Sequence, residues 1–246
     1  VKKAARQPGI EASSRGRCDG DFFRRPAEEL APMLLGCTLV RVLPNGTRLA
    51  GTIVETEAYV GVRDRACHSY GGRRTPRNEV MYAPAGSFYV YFTYGMHFCC
   101  NVVCGEVDEP VAVLLRAMEP VEGVEAMRAN RPGAKRDRDL CAGPARLCEA
   151  LQIARDQNGI DLVTHSDHWI ERSTVLPGSV NRIVLGPRIG IGLGNVWSRR
   201  LLRFGVAGHP CLSVPFPRSA RSLRQVLLQQ RPRQGGSAWR APRQAK

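Results

Sequence analysis

From Gly86 to Gly105 the chain reads GSFYVYFTYGMHFCCNVVCG, two runs of aromatic and β-branched residues folded about the pair Tyr94-Gly95. Residues of these kinds favour a pleated strand, and a connection this short can join only antiparallel neighbours. Strands over Ser87–Thr93 and Met96–Cys104 therefore commit the chain to a sheet with an antiparallel part. A second hairpin lies upstream, where CTLVRVL turns at PNG into TRLAGTIVETEAYV. VAVLLRAMEP adds a further strand, IVLGPRIGIGLG alternates apolar residues with glycine, and LLRFGVAGHPCLSV ends the core. Helical patterning is confined to Pro26–Leu35 (interrupted by Pro32), VEGVEAMRA and GPARLCEALQIA, the last opening with Pro144 at a favoured first-turn position. Strands joined by tight turns, with helices set apart, predict an α+β domain around antiparallel strands.

Several functional classes drop out early. No uncharged apolar run of about 18 residues exists, so no membrane span is expected, and the basic N-terminus lacks the apolar stretch of a secretory signal. Nine cysteines without regular spacing suggest reduced thiols in an intracellular protein. HFCCNVVC has no second ligand pair, and His165 and His168 have no obvious third partner, so no metal site is expected. GIGLG lacks the spacing of a dinucleotide loop. The net charge of +14 sits mainly at the ends: residues 1–18 carry five basic side chains against one acid, and 218–246 carry eight against none. Both ends read as basic, disordered tails around a domain at 19–217. Basic tails suit nucleic acid, an anionic membrane or plain solvation.

The core carries its own chemistry. Strict alternation through IVETEAYV places Val54, Thr56, Ala58 and Val60 on one face and Glu55, Glu57 and Tyr59 on the other. The loop that follows holds Arg63, Arg65, Arg73, Arg74 and Arg77 against the single acid Asp64. Arginines there are either solvated or placed for phosphates. Alternation in VLLRA aligns Leu114 with Arg116. Tyr89, Tyr91 and Thr93 share one face of the hairpin, and Tyr94 stands at its tip, where packing explains a large ring poorly and a wedge into a base stack explains it better. A carboxylate, stacking rings and arginines together suit a base held between rings while the carboxylate works at its sugar. A metal-dependent nuclease using Glu55, Glu57, Asp64 and His68, or a non-catalytic nucleic-acid module, would draw on the same residues.

The runs GTIVETEAYVG, HSYGGRRTPRN, FYVYFTYGMHFCCNVV, AVLLRAMEP and GPARLC, in that order, resemble the alkyladenine (methylpurine, or 3-methyladenine) DNA glycosylases. The resemblance extends from about Phe22 to Pro217. It implies one domain with a curved antiparallel sheet, a protruding hairpin and surrounding helices. It also implies a monofunctional enzyme of base excision repair that releases 3-methyladenine, 7-methylguanine, hypoxanthine or ethenoadenine from duplex DNA. No cofactor, no membrane contact and a monomeric state go with it, in a bacterial cytoplasm (which the wording of the hairpin favours) or a eukaryotic nucleus. By this likeness Glu57 is the general base and Arg116 holds the attacking water with it. Tyr59 stacks on one face of the flipped base, His68 and Tyr91 stack on the other, and the His68 amide probes the purine 6-position. Leu114 joins the base pocket and Asn101 crowds the 2-amino group of guanine. Tyr94 fills the gap in the duplex, with Met96, His97, Arg74, Arg77 and Arg146 also on DNA. Glu55 carries no catalytic role from the family and reads as a structural ion pair. His97 replaces a tyrosine, Cys100 a methionine, and GHPCLS (Gly208–Ser213) a Gly-Ser-Pro-Trp run.

Overall fold

Every segment marked by alternation enters one nine-stranded sheet in which all pairings are antiparallel. The computed structural model describes residues 16–173, 182–192, 194, 196–218 and 220–230. In chain order these form α1 (Gly20–Phe23), α2 (Ala27–Met33), β1 (Thr38–Val42), β2 (Arg48–Tyr59), β3 (Phe88–Thr93), β4 (His97–Cys104) and β5 (Val111–Glu122). There follow α3 (Val124–Asn130), α4 (Pro144–Ala150), β6 (His168–Glu171), β7 (Ile183–Gly186), α5 (Val196–Arg199), β8 (Arg203–Val206), β9 (Arg221–Ser222) and α6 (Leu223–Gln230). The α+β expectation holds, and the chain is a single domain. Among the described residues no helix is long and apolar enough to cross a membrane.

The two 12-residue strands, β2 and β5, form the centre, and the sheet runs β3-β4-β5-β2-β8-β7-β9. The other edge of β2 is shared: β1 pairs with Arg48–Thr52 and β8 with Glu55–Glu57. The sheet therefore forks near Ile53–Glu55. Two bulges fall at this fork. Val54 has no partner on β5 and Arg116 none on β2, so one extra residue on each strand cancels and the register resumes unchanged. Bulges re-aim side chains and concentrate next to active sites.

The bulge corrects one expectation. Ile53, rather than Val54, joins Ala58 and Val60 in the main core, while Val54 packs with Ala117 and Cys211. Strict alternation fails there because it presumes an unbroken ladder. Beyond the bulge it holds, and Glu57 and Tyr59 share a face.

The main core lies where α1, α2 and α4 cover the sheet, with Phe23, Leu30, Leu34, Leu147 and Leu151 packed on Phe88, Val113, Leu115 and Met118. A smaller cluster of Cys67, Met81, Tyr82, Tyr89, Val103 and Ala112, joined by Tyr59 and Tyr91, contains the site described below. All nine cysteines are buried as free thiols.

Helix limits differ from expectation for local reasons. Pro26 caps α2, and its helix stops at Met33, just after Pro32. The strand expected to end at Pro120 continues to Glu122 and breaks at Gly123 (φ +70°), where a Cβ would lie 2.5 Å from the Arg48 carbonyl oxygen. Helix α4 ends before Gln152, which takes a left-handed turn (φ +53°). Described residues reach into both segments expected as tails. Arg17 bridges to Glu171 and lies over the Trp169 ring at 4.1 Å, and Cys18 is buried. At the other end β9 pairs with β7 and leads into α6. The rest of the expected tails, 1–15 and 231–246, lies outside the described residues.

Candidate active site

The alternation of β2 beyond its bulge puts Glu57 beside Tyr59, and the rest of the site arrives on other elements. A cavity opens among Tyr59, Cys67, His68, Met81, Tyr89, Tyr91, Asn101 and Ala112. β2, β3, β4 and β5 each contribute to its wall, and the loop after β2 supplies Cys67 and His68. Tyr89 and Tyr91 are stacked at 5.4 Å, as side chains two apart on a strand stand together. The His68 ring meets Tyr91 edge-on at 4.6 Å and shares a 2.9 Å hydrogen bond through Nδ1 with the Tyr89 hydroxyl. Burial, with the charges of Arg77 and Arg73, lowers the His68 pKa and keeps its ring neutral. Asn101 is buried opposite Tyr89, and its Nδ2 donates to the Tyr89 carbonyl at 3.2 Å, which fixes the amide at the cavity wall. Leu114 sits in register between Glu57 of β2 and Asn101 of β4.

Glu57 is fully buried. One oxygen, Oε1, accepts from the Ile189 backbone N–H at 2.7 Å and faces Arg116 Nη1 at 3.2 Å. The other, Oε2, accepts from the Tyr59 hydroxyl at 3.1 Å. Burial raises its pKa above the ordinary carboxylate range, and Arg116, the Ile189 amide and the Tyr59 hydroxyl oppose that rise. Tyr59 itself is held far up by burial and by Glu57, so it stays protonated and able to donate. A buried carboxylate whose pKa is raised in this way holds a proton more readily than an exposed one.

Three buried arginines hold the acids around Glu57. Arg116 Nε and Arg203 Nε donate to Glu55 Oε1 at 2.9 and 2.7 Å. Ser213 donates to Glu55 through its backbone N–H (2.6 Å) and its hydroxyl (2.8 Å). Arg188 grips Asp64 with two bonds of 2.5 and 2.8 Å, donates to the Ala58 carbonyl and lies over the Tyr59 ring at 4.6 Å. Glu55 is thus the structural ion pair that was expected. Glu55, held by Arg116, Arg203 and Ser213, and Asp64, held by Arg188, have their oxygens occupied, which weighs against the nuclease reading.

Outside the cavity, Tyr94, Met96 and His97 project at the hairpin tip, with Tyr94 83% and Met96 70% exposed. Tyr94 holds a left-handed backbone (φ +51°) beside Gly95 (φ +69°). A bulky residue in that conformation is strained. Arg77 is exposed and donates to the Phe92 carbonyl at the base of the tip. Arg146 is exposed in the first turn of α4, where it donates to the Ala142 carbonyl at 3.4 Å. Arg74 is exposed as well, pairs with Glu79 and Asp108 and covers the Tyr82 ring, and the neighbouring Arg73 is exposed near His68.

Sequence reasoning missed Arg188, Ile189, Arg203 and Ser213. A signal existed, because IVLGPR and LLRF each end or carry a lone arginine on an apolar segment, as VLLRA does. Arginines in such settings need carboxylate partners when buried.

Known proteins resemble this chain over most of its length. The family model for methylpurine-DNA glycosylase matches residues 21–210. DNA-3-methyladenine glycosylase of Homo sapiens is 46% identical over 202 residues, covering 79% of this chain and 67% of that protein. The Mus musculus enzyme of the same name is 45% identical over 207 residues, 81% of this chain and 62% of its own length. A relative from Burkholderia cenocepacia is 47% identical over 201 residues, 80% of this chain and 91% of its own. The chain thus spans about two thirds of the mammalian relatives and most of the bacterial one.

Proposed function

The chain belongs to the methylpurine-DNA glycosylase family, and we propose that it removes alkylated or deaminated purines from duplex DNA by hydrolysing the N-glycosidic bond. One observation carries this reading: Glu57, fully buried, stands beside an aromatic-walled cavity and faces Arg116 at 3.2 Å. Flipping a nucleotide out of the stack costs a few kcal/mol. A base held between Tyr59 and the His68–Tyr91 pair regains about 1–3 kcal/mol of stacking. Glu57 takes a proton from water held with Arg116, the water oxygen bonds to C1′, and the C1′–N bond breaks with its electron pair leaving on the purine. A positive charge on an alkylated ring eases that departure. No lysine is among the described residues lining the cavity, so the pocket offers no amine for a covalent sugar intermediate, which favours monofunctional hydrolysis and an abasic product. Exposed Tyr94 fills the gap left in the duplex, and Arg77, with the neighbouring Arg73, meets phosphates.

The direct test is a duplex carrying hypoxanthine or 1,N6-ethenoadenine, incubated in EDTA and then treated with alkali. Strand breaks only after alkali are the expected result. Breaks before alkali, lost on chelation, would support the nuclease instead. Binding without any free base released would reduce the protein to a recognition module.

Asn101 supplies a specificity test. Hypoxanthine and guanine differ by the 2-amino group, and an amide pinned at the cavity wall by Tyr89 rejects that group by clash. Asn101→Ser is expected to raise excision of guanine from G·T mismatches relative to hypoxanthine by about tenfold, the low end for one added group in a pocket. Equal loss on both substrates, with a lower Tm, would leave Asn101 as a backbone-satisfying residue of the hairpin.

A further inference from the structure

Glu55 is more heavily bonded than a counter-ion for one arginine needs to be. The proposed chemistry uses Glu57 and Arg116 and leaves Glu55 without a task, yet Glu55 is fully buried and accepts from Arg116, Arg203 and Ser213. An ionised carboxylate kept from water is costly, and an apolar residue in place of such a pair is often no worse for stability. Its retention asks for a function.

The geometry around Arg116 supplies one. A guanidinium at a bulge has no neighbouring strand residue opposite to fix it, and Arg116 has no partner on β2. Its Nε is taken by Glu55 and its Nη2 by the Ser213 hydroxyl at 3.2 Å. Nη1 is the nitrogen left to face Glu57. Glu55 is in turn held by Arg203, which donates to the same oxygen as Arg116 and also to the Val214 carbonyl. Phe216 lies over the Arg203 guanidinium at 3.9 Å. Phe216 seats itself on Gly205, where a Cβ would come within 2.5 Å of its ring, so a side chain at that strand position would displace the ring.

We propose that Glu55 is a positioning residue for base excision: braced by Arg203 and the Ser213–Phe216 loop, it aims Arg116 Nη1 at Glu57 and the water. The inference rests on the glycosylase reading. Its charge has a second consequence. Groups of charge or titratable character facing Glu57 are Arg116 from β5, Glu55 and Tyr59 from β2, Tyr91 from β3, Cys99 from β4 and Arg188 from the loop after β7. Burial is the main cause that raises the Glu57 pKa, and the Glu55 charge adds to it against Arg116.

The sign follows. A general base works only when deprotonated, so excision falls as pH drops through the Glu57 pKa. Removing the Glu55 charge lowers that pKa and moves the acid limb to lower pH, while loosening Arg116 lowers the plateau. Single-turnover excision of hypoxanthine, read by alkali cleavage across pH with the full chain, tests both. For Glu55→Gln the plateau is expected to fall about 10²-fold, the scale of a misplaced catalytic group. Its acid midpoint should be lower, and its affinity for lesion DNA unaltered. Glu55→Asp keeps the charge on a shorter arm and should hold the wild-type midpoint with a reduced plateau. A Glu55→Gln variant with wild-type plateau and midpoint, whatever its Tm, overturns the inference alone. Absence of excision by the wild type would overturn the glycosylase reading and this inference with it. Should Glu55→Gln fail to fold, Ser213→Ala carries the test: a lower plateau at an unshifted midpoint supports it, and a wild-type plateau overturns it.

Discussion

Glu57→Gln is expected to lose base excision by at least about 10²–10⁴-fold, the usual worth of general-base help, while lesion-DNA binding persists. Glutamine keeps the shape and one acceptor oxygen, which the Ile189 amide can still use. Its NH₂ can be turned toward the Tyr59 oxygen, which accepts as readily as it donates. What disappears is the capacity to take a proton. Breaking a buried ion pair usually costs about 3–5 kcal/mol because one charge is stranded. Here Arg116 keeps Glu55, so a smaller loss of Tm is expected than for removal of a sole partner. Measuring single-turnover hypoxanthine release at saturating enzyme separates the two effects, since binding and folding are then held constant. Excision within about threefold of wild type, far below the general-base range, would sink the assignment.

Tyr94→Gly should separate folding from flipping. Tyrosine at φ +51° carries strain that glycine does not, and the ring is 83% exposed, so the fold loses little packing. Relief of a left-handed non-glycine residue is worth about 1–2 kcal/mol, offset by the greater freedom of glycine in the unfolded chain. Stability is thus expected to hold or rise. The flipped state, by contrast, loses a stacking partner worth about 1–3 kcal/mol, so the flipping equilibrium should fall by about tenfold or more. Ethenoadenine fluorescence reports the flipped fraction, and thermal unfolding reports the rest. Unchanged flipping would return Tyr94 to the standing of an exposed surface residue, with the strain left unexplained.

The sheet strands and the proposed chemistry differ in how far they are written locally. Two hairpins, the central strands and the side-by-side placement of Glu57 and Tyr59 follow from a period of two that any eight-residue window displays. The aromatic wall of Tyr89 and Tyr91 follows in the same way, as does the tip at Tyr94-Gly95. Family likeness then named Glu57 and Arg116 together, although nothing in either window shows that they meet.

Where the pattern broke, the cause lay on another strand. Val54 leaves the main core because the ladder to β5 has an extra residue on each side, and a bulge is a property of two strands. Arg74 pairs at the surface with Glu79 and Asp108, and only the folded loop brings Asp108 within its reach. The sequence by itself determined the central strands, the two hairpins and which side chains of one strand stand together, because those follow from bonds between near neighbours, whereas β6 and β9 show only in the fold. Only the tertiary structure decided that Arg116, Arg188, Arg203 and Ser213, drawn from β5, β8 and two loops, converge on Glu55, Glu57 and Asp64. Buried charges must find opposite partners wherever the fold puts them, and that requirement leaves no periodic trace along the chain.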